Sequence, residues 1–92
     1  MKLGRVVGRV WATAQDEALA GLKILLVRPV DLRGEPEGEA YLALDTVDAG
    51  DGDPVLVVDE GSAAGQVLGL DQPPIRTVIV GVVDEVRIGS GA

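Results

Sequence analysis

The sequence predicts an all-β fold, a small five-stranded barrel of the OB type with one short helix. Three observations favour this fold. Valine, with 15 copies, is the most frequent residue and prefers strands. Thirteen glycines and five prolines supply the turns that separate short strands. The chain of 92 residues has the length of one domain, so residues 1–92 are expected to form a single unit.

The first predicted strand covers residues 3–13. Its side chains alternate, so that Val6 and Val10 share one face and Val7 and Trp11 share the other. The two glycines inside this strand indicate a bend, a bulge or the close approach of another backbone. A strand coiled around a small closed barrel needs such positions.

A hairpin is predicted from the next two segments. Residues 22–32 and 40–47 are rich in aliphatic side chains and form the second and third strands. The polar connection between them contains Gly34, Pro36 and Gly38, which are residues typical of turns.

The remaining segments complete the barrel. Residues 55–58 form the fourth strand, after a turn rich in glycine and aspartate at residues 48–54. Residues 61–68 contain many small side chains and favour a short helix, with Ser62 near its N-terminus. Residues 76–88 form the last strand.

The last strand is apolar on both faces. Alternation places Ile79 and Val83 on one face, opposite Val78, Val80 and Val82. One face is expected to line the core, and the other to meet a neighbouring subunit. The alternative is that the short helix covers the outer face within the same chain.

Composition excludes several functions. The chain has no histidine and no cysteine, which removes His-assisted and Cys nucleophiles, haem and iron–sulfur ligation and disulfides. Fifteen acidic residues remain as candidate acid–base groups, but nothing in the sequence brings two of them into an apolar pocket, so we expect no enzyme activity, no metal site and no cofactor. Oligomerisation is the remaining aid to a chain this short. A net charge of −7 with two aromatic residues argues against nucleic acid as a partner.

Hydropathy favours a soluble, cytoplasmic protein. Apolar runs stay well short of the roughly 18 residues that a membrane helix needs, and the basic N-terminus is not followed by the long apolar core of a signal peptide. We therefore expect no membrane partner.

An acidic turn invites a calcium interpretation. Asp45, Asp48, Asp51 and Asp53 surround two glycines, but their spacing does not match an EF-hand loop, so a solvated turn is favoured.

Taken in order, these segments resemble the bacterial microcompartment vertex proteins, the pentamer-forming shell family of carboxysomes and metabolosomes. The resemblance spans almost the whole chain without large insertions, and no single motif is diagnostic. The matching stretches are residues 4–13, 19–26, 45–47, 49–50, 55–57, 61–64 and 74–84.

The resemblance implies an OB-like barrel that assembles into a homopentamer, a structural part that caps the fivefold vertices of a polyhedral shell in the cytoplasm. Its implied partners are the hexameric and trimeric tiles of the same shell. In a closed ring with head-to-tail contacts, each subunit presents a different face to each neighbour, which agrees with a strand that is apolar on both sides.

The candidate subunit-interface residues are Asp48, Arg76, Ile79 and Val83. The last two lie on the doubly apolar strand. The first two are departures from the family, which often has glycine in place of Asp48 and aspartate in place of Arg76; it also often has arginine in place of Gly65. Because one departure adds an acid and another a base, we expect an Asp48–Arg76 ion pair, within the chain or across a subunit boundary. The alternative is that these are two unrelated surface substitutions.

Two other functions stay open at this point. One is an oligomeric barrel that binds a small molecule, which a ligand retained during purification would favour. The other is a scaffold subunit of an enzyme complex, which co-purification with an enzyme would favour.

Overall fold

Five strands form a closed barrel in the computed structural model, which describes residues 1–10, 23–59, 64–66, 75–87 and 89. The barrel order is β1-β2-β3-β5-β4. β3 and β5 are parallel, and the other neighbours are antiparallel. The strands are β1 (Lys2–Val10), β2 (Ile24–Pro29), β3 (Tyr41–Asp45), β4 (Pro54–Asp59) and β5 (Thr77–Val82).

The predicted all-β barrel and its order of elements are confirmed. Residues 64–66 are helical and precede β5, as expected. The rest of the predicted helix, and residues 11–13 of the predicted first strand, lie outside the described residues.

Two strands are shorter than expected. β2 ends at Pro29 rather than at residue 32, because Asp31 starts a turn in which its carboxylate accepts the N–H groups of Arg33 and Glu35. β5 ends at Val82 rather than at residue 88, because its partner β4 begins at Pro54, whose carbonyl accepts the last N–H, that of Val83.

The glycines of β1 have the roles that the sequence indicates. A Cβ on Gly4 would lie 2.3 Å from Val27 Cγ1, so another strand approaches the backbone too closely for any side chain there. Gly8 follows a bulge, in which Val7 is the extra residue between two paired positions.

The core has two parts. The inner cluster fills the barrel and contains Val6, Leu25, Val27, Ala43, Ala49, Val55, Val57 and Ile79. The outer cluster lies on the outside of the barrel wall, where Leu44 and Val78 pack with Ala64 of the helical turn. The helical turn therefore covers part of the outer wall.

Candidate subunit interface

The outer wall formed by β3 and β5 is covered only in its centre. Leu44 and Val78 are paired across the two strands, and their exposed fractions are 1% and 2%. Leu42 lies two residues before Leu44 and is 41% exposed. Val80 lies two residues after Val78 and is 42% exposed. Because the strands are parallel, these two exposed side chains lie at opposite ends of the wall.

The first apolar face, defined as Val7, Leu26 and Leu42, spans β1, β2 and β3. Leu26 and Leu42 are paired across β2 and β3, and paired residues point to the same side of a sheet. Val7 is the bulged residue next to Gly8, which pairs with Leu26 from the other side. Val7 and Leu42 are exposed and Leu26 is half-buried, so this face is uncovered in the single chain.

The second apolar face, defined by the exposed side chain of Val80, lies on β5. Leu56 pairs with Gly81 and Val57 pairs with Ile79, which leaves Val80 as the extra residue of a bulge. Val82, beyond the bulge, is also exposed, but it pairs with the core residue Val55 and so points to the other side of the sheet. The two faces differ in position and composition, as a head-to-tail contact requires.

The candidate residue Ile79 is not at a surface. Its side chain is fully buried in the inner cluster of the single chain, so the expectation that it meets a neighbour is wrong. On the opposite side of β5, the helical turn covers Val78, as in the alternative in which the short helix covers the outer face. Val80 on that strand is exposed. Val83 is half-buried beyond the end of β5, and Arg76 is exposed just before its start.

Asp48 has a partner other than Arg76. Lys23 Nζ donates to Asp48 Oδ1 at 2.7 Å and to the carbonyl of Ala49 at 2.9 Å, and lies 3.1 Å from Asp45 Oδ2. Among the described residues, the expected Asp48–Arg76 pair does not form within the chain. Local sequence does not reveal this contact, because Lys23 and Asp48 are 25 residues apart.

Lys23 and Asp48 shift one another's pKa. The hydrogen bond from Lys23, and then its charge, hold the pKa of the Asp48 carboxyl below its ordinary value. The hydrogen bond to Asp48 raises the pKa of Lys23; burial opposes this rise, and Asp45 adds to it. Both groups are therefore charged over the whole neutral range.

The acidic turn between β3 and β4 uses its carboxylates to bind backbone groups. Asp45 accepts the N–H groups of Val47 and Ala49, and Asp53 accepts that of Gly50. The four aspartates do not converge on a common point, and the described part of the chain holds no cluster of three or more potential metal-ligating side chains. Asp45 and Asp53 therefore act as acceptors that hold the backbone of this turn.

Asp48 also has an unusual backbone conformation. Its φ of 58° lies in the left-handed region, which glycine adopts freely and aspartate tolerates better than most residues. Glycine at this position in the resembled family is explained by the same requirement.

Among the described residues there is no helix both long and apolar enough to cross a membrane.

Comparison with known proteins assigns the barrel to a family. A family model described as ethanolamine utilisation protein EutN/carboxysome matches residues 1–84. The chain belongs to the EutN/carboxysome family. The resemblance inferred from the sequence is thereby confirmed, and with it the prediction of a structural protein of a microcompartment shell vertex.

Individual family members are similar over nearly their full length. The microcompartment shell vertex protein EutN of Salmonella typhimurium is 38% identical to this chain, in an alignment that covers 97% of this chain and 89% of EutN. The carboxysome shell vertex protein CcmL of Synechocystis is 38% identical over 100% of this chain and 91% of the relative. The solved pentameric shell protein GrpN from Rhodospirillum rubrum has a TM-score of 0.82 at 37% identity, covering 97% of this chain and all of GrpN.

Proposed function

We propose that this chain forms a homopentamer that caps the fivefold vertices of a microcompartment shell, where it contacts hexameric and trimeric tiles of that shell. The observation that carries this proposal is the pair of exposed side chains Leu42 and Val80, which extend the covered outer wall at both ends. A ring in which the first apolar face of one subunit meets the second apolar face of the next buries both.

Membership in a shell vertex family supports this role, and the solved relative GrpN is described as pentameric. The chain acts through assembly, and we expect it to carry no catalytic step of its own. The barrel interior argues against the small-molecule alternative, since the inner cluster of core side chains occupies the space where a barrel of this size would hold a ligand.

Shell reconstitution tests the vertex role. Tile proteins of the same compartment, assembled with and without this chain and imaged by cryo-electron microscopy, should show density for the chain at the fivefold positions and unfilled vertices without it. The Leu42→Asp variant is the matched control, because it retains the barrel but removes the first apolar face. Shells whose vertices close equally well without the chain would refute the proposal.

A further inference from the structure

Gly81 leaves a gap on the outer side of β5, beside the second apolar face. It pairs with Leu56 of β4, whose two neighbours, Val55 and Val57, belong to the inner cluster. Side chains alternate along a strand and paired residues share a side, so Leu56 and Gly81 both face outward. Val80, the extra residue of the bulge, directly precedes Gly81 and is exposed. The gap is therefore continuous with the second apolar face.

The described part of the barrel does not require glycine at position 81. A Cβ placed on Gly81 would have no heavy atom of those residues within 4 Å, so the space above it is open. Its φ lies outside the left-handed region, so its backbone conformation is available to other residues. Gly4 is the contrast, because Val27 leaves no room for a side chain there.

A glycine in the middle of a strand weakens that strand. It loses more conformational freedom on folding than any other residue and contributes no side chain to the packing. Glycine in a strand often marks a place where another backbone or a bound group approaches closely. For Gly4 the approaching group belongs to the same chain, whereas for Gly81 no described residue of the chain supplies it.

A second copy of the chain offers groups that fit the gap. Val7 and Leu42 of the first apolar face are exposed aliphatic side chains. Val80 and Leu56, which border the gap, are also aliphatic, so an apolar side chain can enter it without burying a charge. Exposed side chains on one face and a gap on another are complementary in a head-to-tail ring, and the solved relative GrpN is described as pentameric.

We propose that the β5 backbone at Gly81 receives an aliphatic side chain from the first apolar face of the neighbouring subunit, so that this glycine serves assembly and not folding. The inference rests on the proposed homopentamer and adds the residue that sets how closely two subunits approach. A side chain at position 81 would fill the gap and hold the two subunits apart.

Substitution of Gly81 by residues of increasing size tests the proposal. Native mass spectrometry over a dilution series gives the concentration at which half of the pentamer dissociates. Gly81→Val should raise this concentration about tenfold or more, because the added carbons overpack a filled contact, and Gly81→Ala should raise it less. Val82→Ile is the matched control, since it adds one carbon, as Gly81→Ala does, but on the other side of the sheet. It should leave the concentration unchanged.

The stability of the single barrel should change in the opposite direction. In the Val80→Asp background, which is expected to be monomeric, Gly81→Ala should raise the midpoint of urea unfolding, because alanine loses less conformational freedom than glycine on folding. Weakened assembly of Gly81→Val together with this raised midpoint, beside an unaffected Val82→Ile variant, supports the proposal. A lowered midpoint would mean that the barrel itself needs the glycine, and it overturns the proposal.

The remaining outcomes separate this inference from the proposed function. A Gly81→Val protein that assembles as tightly as the wild type, while Val80→Asp dissociates, overturns the inference and leaves the homopentamer intact. A wild-type chain that is itself monomeric refutes the proposed function, and this inference with it.

Discussion

Two regions of the β3–β5 wall contain similar side chains on the same outer side but differ in their covering. Leu44 and Val78 pack under Ala64 and are removed from water, whereas Leu42 and Val80 are exposed. The difference shows that Ala64, in the described helical residues 64–66, covers the centre of the wall, while its two ends stay exposed. The rest of the wall has the composition of a core and needs a second subunit to bury it.

The largest expected effect distinguishes the barrel core from this wall. Ile79→Asp places an unpaired carboxylate in the inner cluster, at a cost of about 4 kcal/mol or more, which is comparable with the whole stability of a small domain. We expect this variant to be unfolded by circular dichroism. Val80→Asp, one residue away, should retain its β spectrum. A folded Ile79→Asp variant would contradict the assignment of the core.

The next effect is on assembly rather than folding. Leu42→Asp and Val80→Asp should each give a folded chain that sediments as a monomer, because a charge replaces an apolar side chain at a subunit contact. Leu32→Asp, at a more exposed leucine that belongs to neither apolar face, is the control and should stay assembled. If both wall variants remain pentameric, the two apolar faces are not the subunit contacts.

A smaller effect concerns the ion pairs that Lys23 makes with Asp45 and Asp48. Lys23→Met removes the cation that Asp45 and Asp48 share and leaves the Asp45 carboxylate, whose side chain is fully buried, without its counter-ion. Asp48→Asn removes only a carboxylate that is almost wholly exposed. The melting temperature should therefore fall further in Lys23→Met than in Asp48→Asn, and the reverse order would refute the role given to Lys23.

The smallest effect is on the pH dependence of stability. The lowered pKa of Asp48 gives stability that is present above its ordinary value, about 3.9, and is lost as the pH falls below that value. The raised pKa of Lys23 gives stability that is present below its ordinary value, about 10.4, and is lost as the pH rises through the raised value.

Urea denaturation of the wild type and of Lys23→Met over a pH series measures this dependence. The difference in unfolding free energy between the two proteins should be constant between about pH 5 and pH 9 and should shrink at both extremes. A difference that grows toward acid would have the wrong sign for this ion pair.

The sequence predicts which residues form the barrel because strand composition and turn residues act locally. The family can also be recognised from the sequence, because the matching stretches follow one another in the order that the family has. The glycines of β1 indicate its bulge, but the bulge at Val80 has no such signal, because its position depends on the register between two strands rather than on either strand alone. Alternation places Ile79 and Val80 on opposite faces of β5, but it does not specify that the face of Ile79 lines the core.

The partner of Asp48 illustrates the same limit. The expected pair with Arg76 came from two charge changes relative to the family, whereas the structure brings Lys23 to Asp48 through the pairing of β2 with β3. Long-range pairing of this kind leaves no local signal in one sequence. By contrast, glycine-rich β1 and the helical turn before β5 were predictable from residue type alone.

Native mass spectrometry of the wild-type chain at micromolar concentration tests the central claim most directly. A chain of 9.5 kDa that buries its two apolar faces in a closed ring predicts a single dominant species of about 48 kDa, five copies of the chain. The Val80→Asp variant, measured in parallel, should give the mass of one chain. A wild-type protein that is mainly monomeric under these conditions would contradict the account.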